Sequence, residues 1–172
     1  MRLFLVAGKA GSGKNEVAIF IKEILKNTVI TSFSKYIKLY TLELTDWDGR
    51  DISKPRAELQ HMGDRLRAID KDFLTKRLLE DIDVYKREGI SNVVISDVRL
   101  VNEIEFFKRI KDIEVVTIRV NSDTSRRNLT NDEKHHITEI ELDNYNGFDY
   151  TVKNQFNDNL KEEIIKILEG MK

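Results

Sequence analysis

The chain opens with Leu3-Phe4-Leu5-Val6-Ala7 running straight into Gly8-Lys9-Ala10-Gly11-Ser12-Gly13-Lys14-Asn15. An apolar run without alternation suits a strand buried on both faces, as in a parallel sheet. Behind it, Val17, Phe20, Ile21, Ile24 and Leu25 fall on one face of a helix. Between strand and helix the glycines let the backbone curl so that successive N–H groups converge. With the helix N-terminus they cradle phosphate oxygens, and Lys14 neutralises the outer phosphate charge. A plain strand-to-helix turn is the competing reading. Asn15 stands where the G-x-x-x-x-G-K-[ST] pattern puts a magnesium-binding hydroxyl. Its amide oxygen is a hard but neutral donor. Direct ligation, ligation through water and simple helix capping all stay open for it at this point.

Similar β-rich runs recur at Thr28–Thr31, Asn92–Ser96, Val115–Val120 and Asp149–Val152. Helical stripes lie between them. Phe73, Leu74, Leu78, Ile82 and Tyr85 form one, with Asp70 as its expected N-cap. Ile104, Phe107 and Ile110 form another, and Leu160, Ile164, Ile167 and Leu168 a last one, ending near Gly170. Pro55 suits the first turn of a helix reaching Ile69. Alternating strands and helices predict a three-layer α/β/α domain with a five-stranded parallel sheet, one domain over 1–172. Two segments interrupt the alternation: a mostly helical excursion, 34–88, and a polar stretch, 121–138.

With 29 basic and 30 acidic residues the net charge is −1, so no global field draws the chain to nucleic acid or anionic membrane. The absence of cysteine excludes disulfides, thiolate nucleophiles and Cys-type zinc sites. No run approaches the ~18 apolar residues of a membrane span, and the N-terminal apolar run is shorter than a signal peptide is expected to need. A cytoplasmic location is the expectation. Interface and core helices carry the same apolar stripe, so a homodimer stays open.

Two further constellations stand out. Val93-Val94-Ile95-Ser96-Asp97-Val98-Arg99 is an apolar strand ending in an acid. After a phosphate loop, an acid there holds the magnesium shell; otherwise it is an N-cap for the following helix. Arg99 then lies at the carboxyl end of the strands, where such sheets bind ligands. Arg126 and Arg127 sit in the polar stretch, where a loop over a nucleotide stabilises transferring charge; an idle basic loop is the alternative. His135 and His136 diverge by about 100° on a helix and chelate one ion poorly. Thr138 and Glu141 read as a capping box. His61 is isolated, and Trp47 is expected to pack under the excursion rather than stack on a base.

Together, GKAGSGKNEVA, FSKYIK, PRAELQHMGDRLR, VVISDVRLVNEIE and HHITEIELDNYNGFDYTVKN occur in an order that resembles the phage-type deoxynucleoside monophosphate kinases. That branch of P-loop proteins includes phosphomevalonate kinases and, more distantly, dephospho-coenzyme A kinases. The resemblance spans nearly the whole chain. It implies sheet order 2-3-1-4-5, ATP as donor with Mg2+, and a phosphorylated small-molecule acceptor, with a (deoxy)nucleoside monophosphate first among candidates. It implies that Lys14 and the loop residues bind ATP phosphates and that Asp97 and Arg99 face metal and acceptor. Lys38, Arg56, Gln60 and Arg67 fall in the acceptor region, Arg126 and Arg127 in a lid, and Asn154 near the adenine side. In the family the residue after the loop lysine is often Asp, and Asn15 departs further. A non-catalytic ATP-binding regulator is the alternative of a different class; the Asn-Lys-x-Asp signature of guanine readers is absent.

Overall fold

The computed structural model describes residues 1–122, 135–157 and 159–171. Five parallel strands form one sheet: β1 (Arg2–Ala7), β2 (Thr28–Thr31), β3 (Asn92–Val98), β4 (Glu114–Asn121) and β5 (Tyr150–Lys153). Their spatial order is β2-β3-β1-β4-β5, the order expected above. The connections carry α1 (Lys14–Ile24), α2 (Ser34–Leu44), α3 (Arg56–Ile69), α4 (Phe73–Arg87), α5 (Val101–Lys108), the short α6 (Ile137–Ile140) and α7 (Asn159–Gly170).

β1 is central and is buried from both sides. Leu3, Leu5 and Ala7 face a cluster closed by Leu74, Leu78 and Ile82 of α4 and Ile104 and Phe107 of α5. Phe4 and Val6 face Val17 and Ile21 of α1 and Leu160, Ile164 and Leu168 of α7. Burial on both faces is why β1 reads as a continuous apolar run. All carboxyl ends of the strands lie at one edge, so the segments after Ala7, Thr31, Val98 and Asn121 emerge together.

One irregularity matters for the site. Leu5 pairs with Ile95 but Ala7 pairs with Val98, so Ser96 and Asp97 together oppose Val6. Such a bulge bends a strand and redirects its side chains.

Helix boundaries differ from expectation in three places. Asp70 closes α3, its N–H bonding to Leu66 O, and α4 starts at Phe73 with Asp72 in the cap position. Asp70 still supports that entry, because its carboxylate accepts the Asp72 N–H at 2.9 Å and the Lys76 ammonium at 2.6 Å. Pro55 precedes α3 rather than occupying its first turn. The Thr138/Glu141 capping box does not form. His136 caps α6 by accepting from the Thr138 N–H, while the Glu141 carboxylate accepts the Val101 N–H at 2.8 Å. Among the described residues no helix is long and apolar enough to cross a membrane.

Candidate active site

The glycine loop sits at the tip of β1. Gly11 and Gly13 have φ of 77° and 96°, in the left-handed region where a side chain is strained. Gly13 has a second reason to be glycine: a Cβ there would lie 2.0 Å from Asn154 Nδ2. That amide is 1% exposed. It donates to Ser12 O and to the Glu16 carboxylate, each at 3.0 Å, and its oxygen accepts the Phe156 N–H at 2.7 Å. The resemblance puts Asn154 near adenine; in the structure its side chain is spent on the loop, which it braces from below.

Lys14 begins α1 and bends back over the loop, donating to Gly8 O and Lys9 O, both at 2.8 Å. The ammonium is thus fixed beside the loop amides. Lys9 points elsewhere, to Asp143 at 2.8 Å. The Ser12 hydroxyl is buried and bonds no described residue. Asn15 is exposed and lines the cavity described next.

A cavity of about 540 Å³ runs from the loop along the inner face of α3. Ala10, Gly11, Gly13 and Lys14 line one end, Asp97 and Arg99 the sheet side, and Lys38, Arg56, Gln60 and Arg67 the excursion side. Every acceptor-region residue expected from sequence therefore shares one cavity with the loop. Arg126 and Arg127 lie outside the described residues, as does most of the 121–138 stretch. Trp47 donates its indole N–H to Arg50 O and does not line the cavity.

Asp97 does not cap its own helix. Redirected by the bulge, it reaches across to α2, where its two oxygens accept the Phe33 and Ser34 N–H groups at 2.8 and 2.9 Å. It thus anchors the N-terminus of the helix that carries Lys38. The cap of α5 comes from Glu103, whose Oε2 accepts the Arg99 N–H at 2.8 Å and the Leu100 N–H at 3.0 Å. Glu103 is almost wholly buried, and burial pushes its carboxyl up to about 7; the Arg67 charge and the two amides pull the other way, and Asp97 adds repulsion.

Two acids in the site carry weight that sequence reading did not give them. One is Glu103. The other is Glu139, whose Oε2 accepts the Ala10 N–H at 2.8 Å and whose Oε1 accepts from Arg99 Nη1 at 2.6 Å. It ties α6 to the loop and to Arg99 at once. Its neighbour His136 reaches α3 through Asp64, with Nε2 to Oδ2 at 3.1 Å. Glu139 was available as the acid of the His-Ile-Thr-Glu piece, yet nothing local marks its partners. Among the described residues no cluster of three or more His, Cys, Asp or Glu could hold a metal.

No protein-family model matches the chain. UPF0200 protein SSO1041 of Saccharolobus solfataricus is 30% identical over 150 residues, 81% of this chain and 71% of the relative. UPF0200 protein LS215_1277 of Saccharolobus islandicus matches to the same extent, 30% over 150 residues. Among solved structures, the dephospho-CoA kinase from Campylobacter jejuni superposes with a TM-score of 0.57 at 13% identity, covering 99% of this chain and 98% of its own. The Mycobacterium tuberculosis APS kinase CysC, solved with AMPPNP and APS, gives 0.52 at 14% identity over 98% and 97%. At such identity the likeness is one of fold.

Proposed function

The chain belongs to the UPF0200 family, and we propose that it catalyses ATP-dependent phosphoryl transfer to the phosphate of a small acceptor, a (deoxy)nucleoside monophosphate being the leading candidate. The observation that carries this reading is the single cavity in which the glycine loop, Lys14, Arg99 and the Lys38, Arg56, Gln60 and Arg67 side of the excursion meet. The structural neighbours named as kinases agree with it.

The chemistry asks little covalent help of the protein. An acceptor phosphate oxygen, already ionised near neutral pH, attacks the γ-phosphorus; the bond to the β,γ-bridging oxygen breaks and ADP leaves. What the step needs is in-line placement and neutralisation of two anionic substrates. Lys14 serves the donor phosphates from its place over the loop. Arg99 stands between loop and acceptor side, and Lys38, Arg56 and Arg67 supply charge along the acceptor side. The acids do not cancel this field freely. Asp97, Glu103 and Glu139 each spend oxygens on backbone amides. Arg126 and Arg127 are assigned to the transferring charge from sequence alone.

The donor set suits magnesium. Asp97 keeps a lone pair on each oxygen beyond its amide bonds, Asn15 offers an amide oxygen, and this ion is commonly held by one or two side chains together with substrate phosphates. Asp97 and Asn15 would hold it, and bound there it would supply neutralisation of ATP's phosphates.

The test mixes protein, ATP and magnesium with a panel of deoxynucleoside and nucleoside monophosphates and follows ADP. The panel includes dephospho-CoA, because the Campylobacter jejuni neighbour bears that name, and phosphomevalonate. Acceptor-dependent ADP supports the reading and names the acceptor. Tight ATP binding with no transfer to any acceptor overturns it in favour of a regulator.

A further inference from the structure

We propose that Glu103 is a positioning residue: its buried carboxylate sets where the Arg67 guanidinium points, and so where an acceptor phosphate sits. The inference rests on the reading of Arg67 as an acceptor ligand.

The geometry divides the carboxylate into two halves. Oε2 takes both amide hydrogens, from Arg99 and Leu100, and this fixes the group to the start of α5. A helix cap requires no more than that. Oε1 is left facing α3, where Arg67 Nη2 lies 3.5 Å away. The two residues are 36 apart in sequence, so the contact joins the excursion to the start of α5.

Arg67 is confined from other directions as well. Its guanidinium lies over the bare backbone of Gly63, where an added Cβ would come within 2.9 Å of Nη1. Asp64 Oδ1 stands farther off, 4.0 Å from Nη1. Separations of this size are ion-pair contacts rather than short hydrogen bonds. They aim the guanidinium while the long bond to Glu103 engages only one of its five N–H donors. An arriving phosphate can take two others in bidentate fashion while Glu103 still fixes the direction of approach.

The same oxygen pair reaches the second arginine of the site. Oε2 holds Arg99 by its backbone, and Arg99's side chain is in turn held by Glu139 at 2.6 Å. Glu103 therefore touches two cations that line the cavity, Arg67 by side chain and Arg99 by main chain. A carboxylate that is 2% exposed cannot swing away to solvent, which suits a fixed reference point.

The test is nuclear magnetic resonance of the Arg67 Nε–H group, with inorganic phosphate as the probe, in wild type, Glu103→Gln, Arg67→Gln and the double variant. In wild type the Nε–H should be about as rigid as the backbone and should shift on phosphate addition. Glu103→Gln should free it and weaken phosphate binding there roughly tenfold, the worth of one charge-assisted contact. Residual phosphate binding in Arg67→Gln, followed through the Arg99 Nε–H, should fall no further in the double variant. Unchanged rigidity and phosphate affinity in Glu103→Gln, or losses that simply add, overturn the proposal. If Glu103→Gln does not fold, relaxation of Arg67 Nε in wild type decides: rigidity supports the hold and free rotation overturns it. These readouts do not depend on turnover. An acceptor panel that yields no ADP would sink the transfer reading while leaving them decisive for Glu103.

Discussion

Gly13 and Gly63 line the same cavity from opposite ends, and an added methyl group would meet different neighbours at each. At Gly13 it would strike a buried amide, Asn154 Nδ2, at 2.0 Å, on backbone already at φ 96°. At Gly63 it would meet the end of a long side chain, Arg67 Nη1, at 2.9 Å, and Ile37 Cδ1 at 3.2 Å, on ordinary helical backbone. The phosphate-loop end is thus built around buried groups held by hydrogen bonds, the Asn154 amide and the Lys14 ammonium among them. At the Gly63 end the crowded atom is the far end of a long side chain, which can shift to admit a methyl group where the buried amide cannot, even though Glu103 sets its direction.

The largest expected effect tests the cradle itself. Lys14→Ala should cut transfer by about 10²–10³-fold, the scale of losing one preorganised charge donor, with the fold retained by circular dichroism. Transfer that persists at the wild-type rate would break the assignment of the loop. Next, Gly13→Ala should destabilise by about 2–4 kcal/mol, combining left-handed strain with overpacking, and should lose nucleotide binding. A urea midpoint equal to wild type would mean that Asn154 yields, and the contrast between the two ends would collapse.

A third prediction concerns the boundary between them. The Glu103 carboxyl is raised in the fold, from 4.5 to about 7. A raised acid contributes stability that is present below the ordinary value and lost as pH rises through the folded one. Wild type should therefore lose up to about 3 kcal/mol between pH 5 and pH 8 relative to Glu103→Gln, read from urea unfolding at each pH. Parallel curves for the two proteins would show that the carboxylate is better compensated than its burial implies. The smallest effect is at the acceptor end. Gly63→Ala should change stability by no more than about 1 kcal/mol, since the gain in helix propensity offsets crowding. It should raise the acceptor KM several-fold with the ATP KM unchanged. A stability loss as large as that of Gly13→Ala would erase the distinction between the ends.

What the sequence disclosed followed the range of the interactions. The strands were legible because burial on both faces leaves unbroken apolar runs, and Leu3 to Ala7 is the clearest. The loop was legible because its glycines and Lys14 act within a few residues of one another. The sheet order came from resemblance to a family, not from any periodicity. The capping partners of the carboxylates were not legible, for a physical reason. Local rules assign an acid to the nearest helix start, which offers Asp97 the cap of the helix after it as the alternative to a metal role, and Glu141 a place in its own capping box. In the fold Asp97 serves Phe33, 64 residues away, and Glu141 serves Val101, 40 away. Glu139 and Ala10 are separated by 129 residues, and no local signal joins them.

That long reach has a consequence for how the molecule comes into being. The glycine loop precedes in synthesis the residue that braces it. Asn154, whose amide holds Ser12 and fills the space beside Gly13, follows 142 residues after Ser12. Folding during synthesis runs from the N-terminus, so the loop waits without its brace while those 142 residues are made. Nucleotide-binding competence should then arrive late and abruptly, when β5 docks beside β4 and carries Asn154 under the loop. A nascent chain halted before residue 150 would hold the loop's sequence but not its set shape.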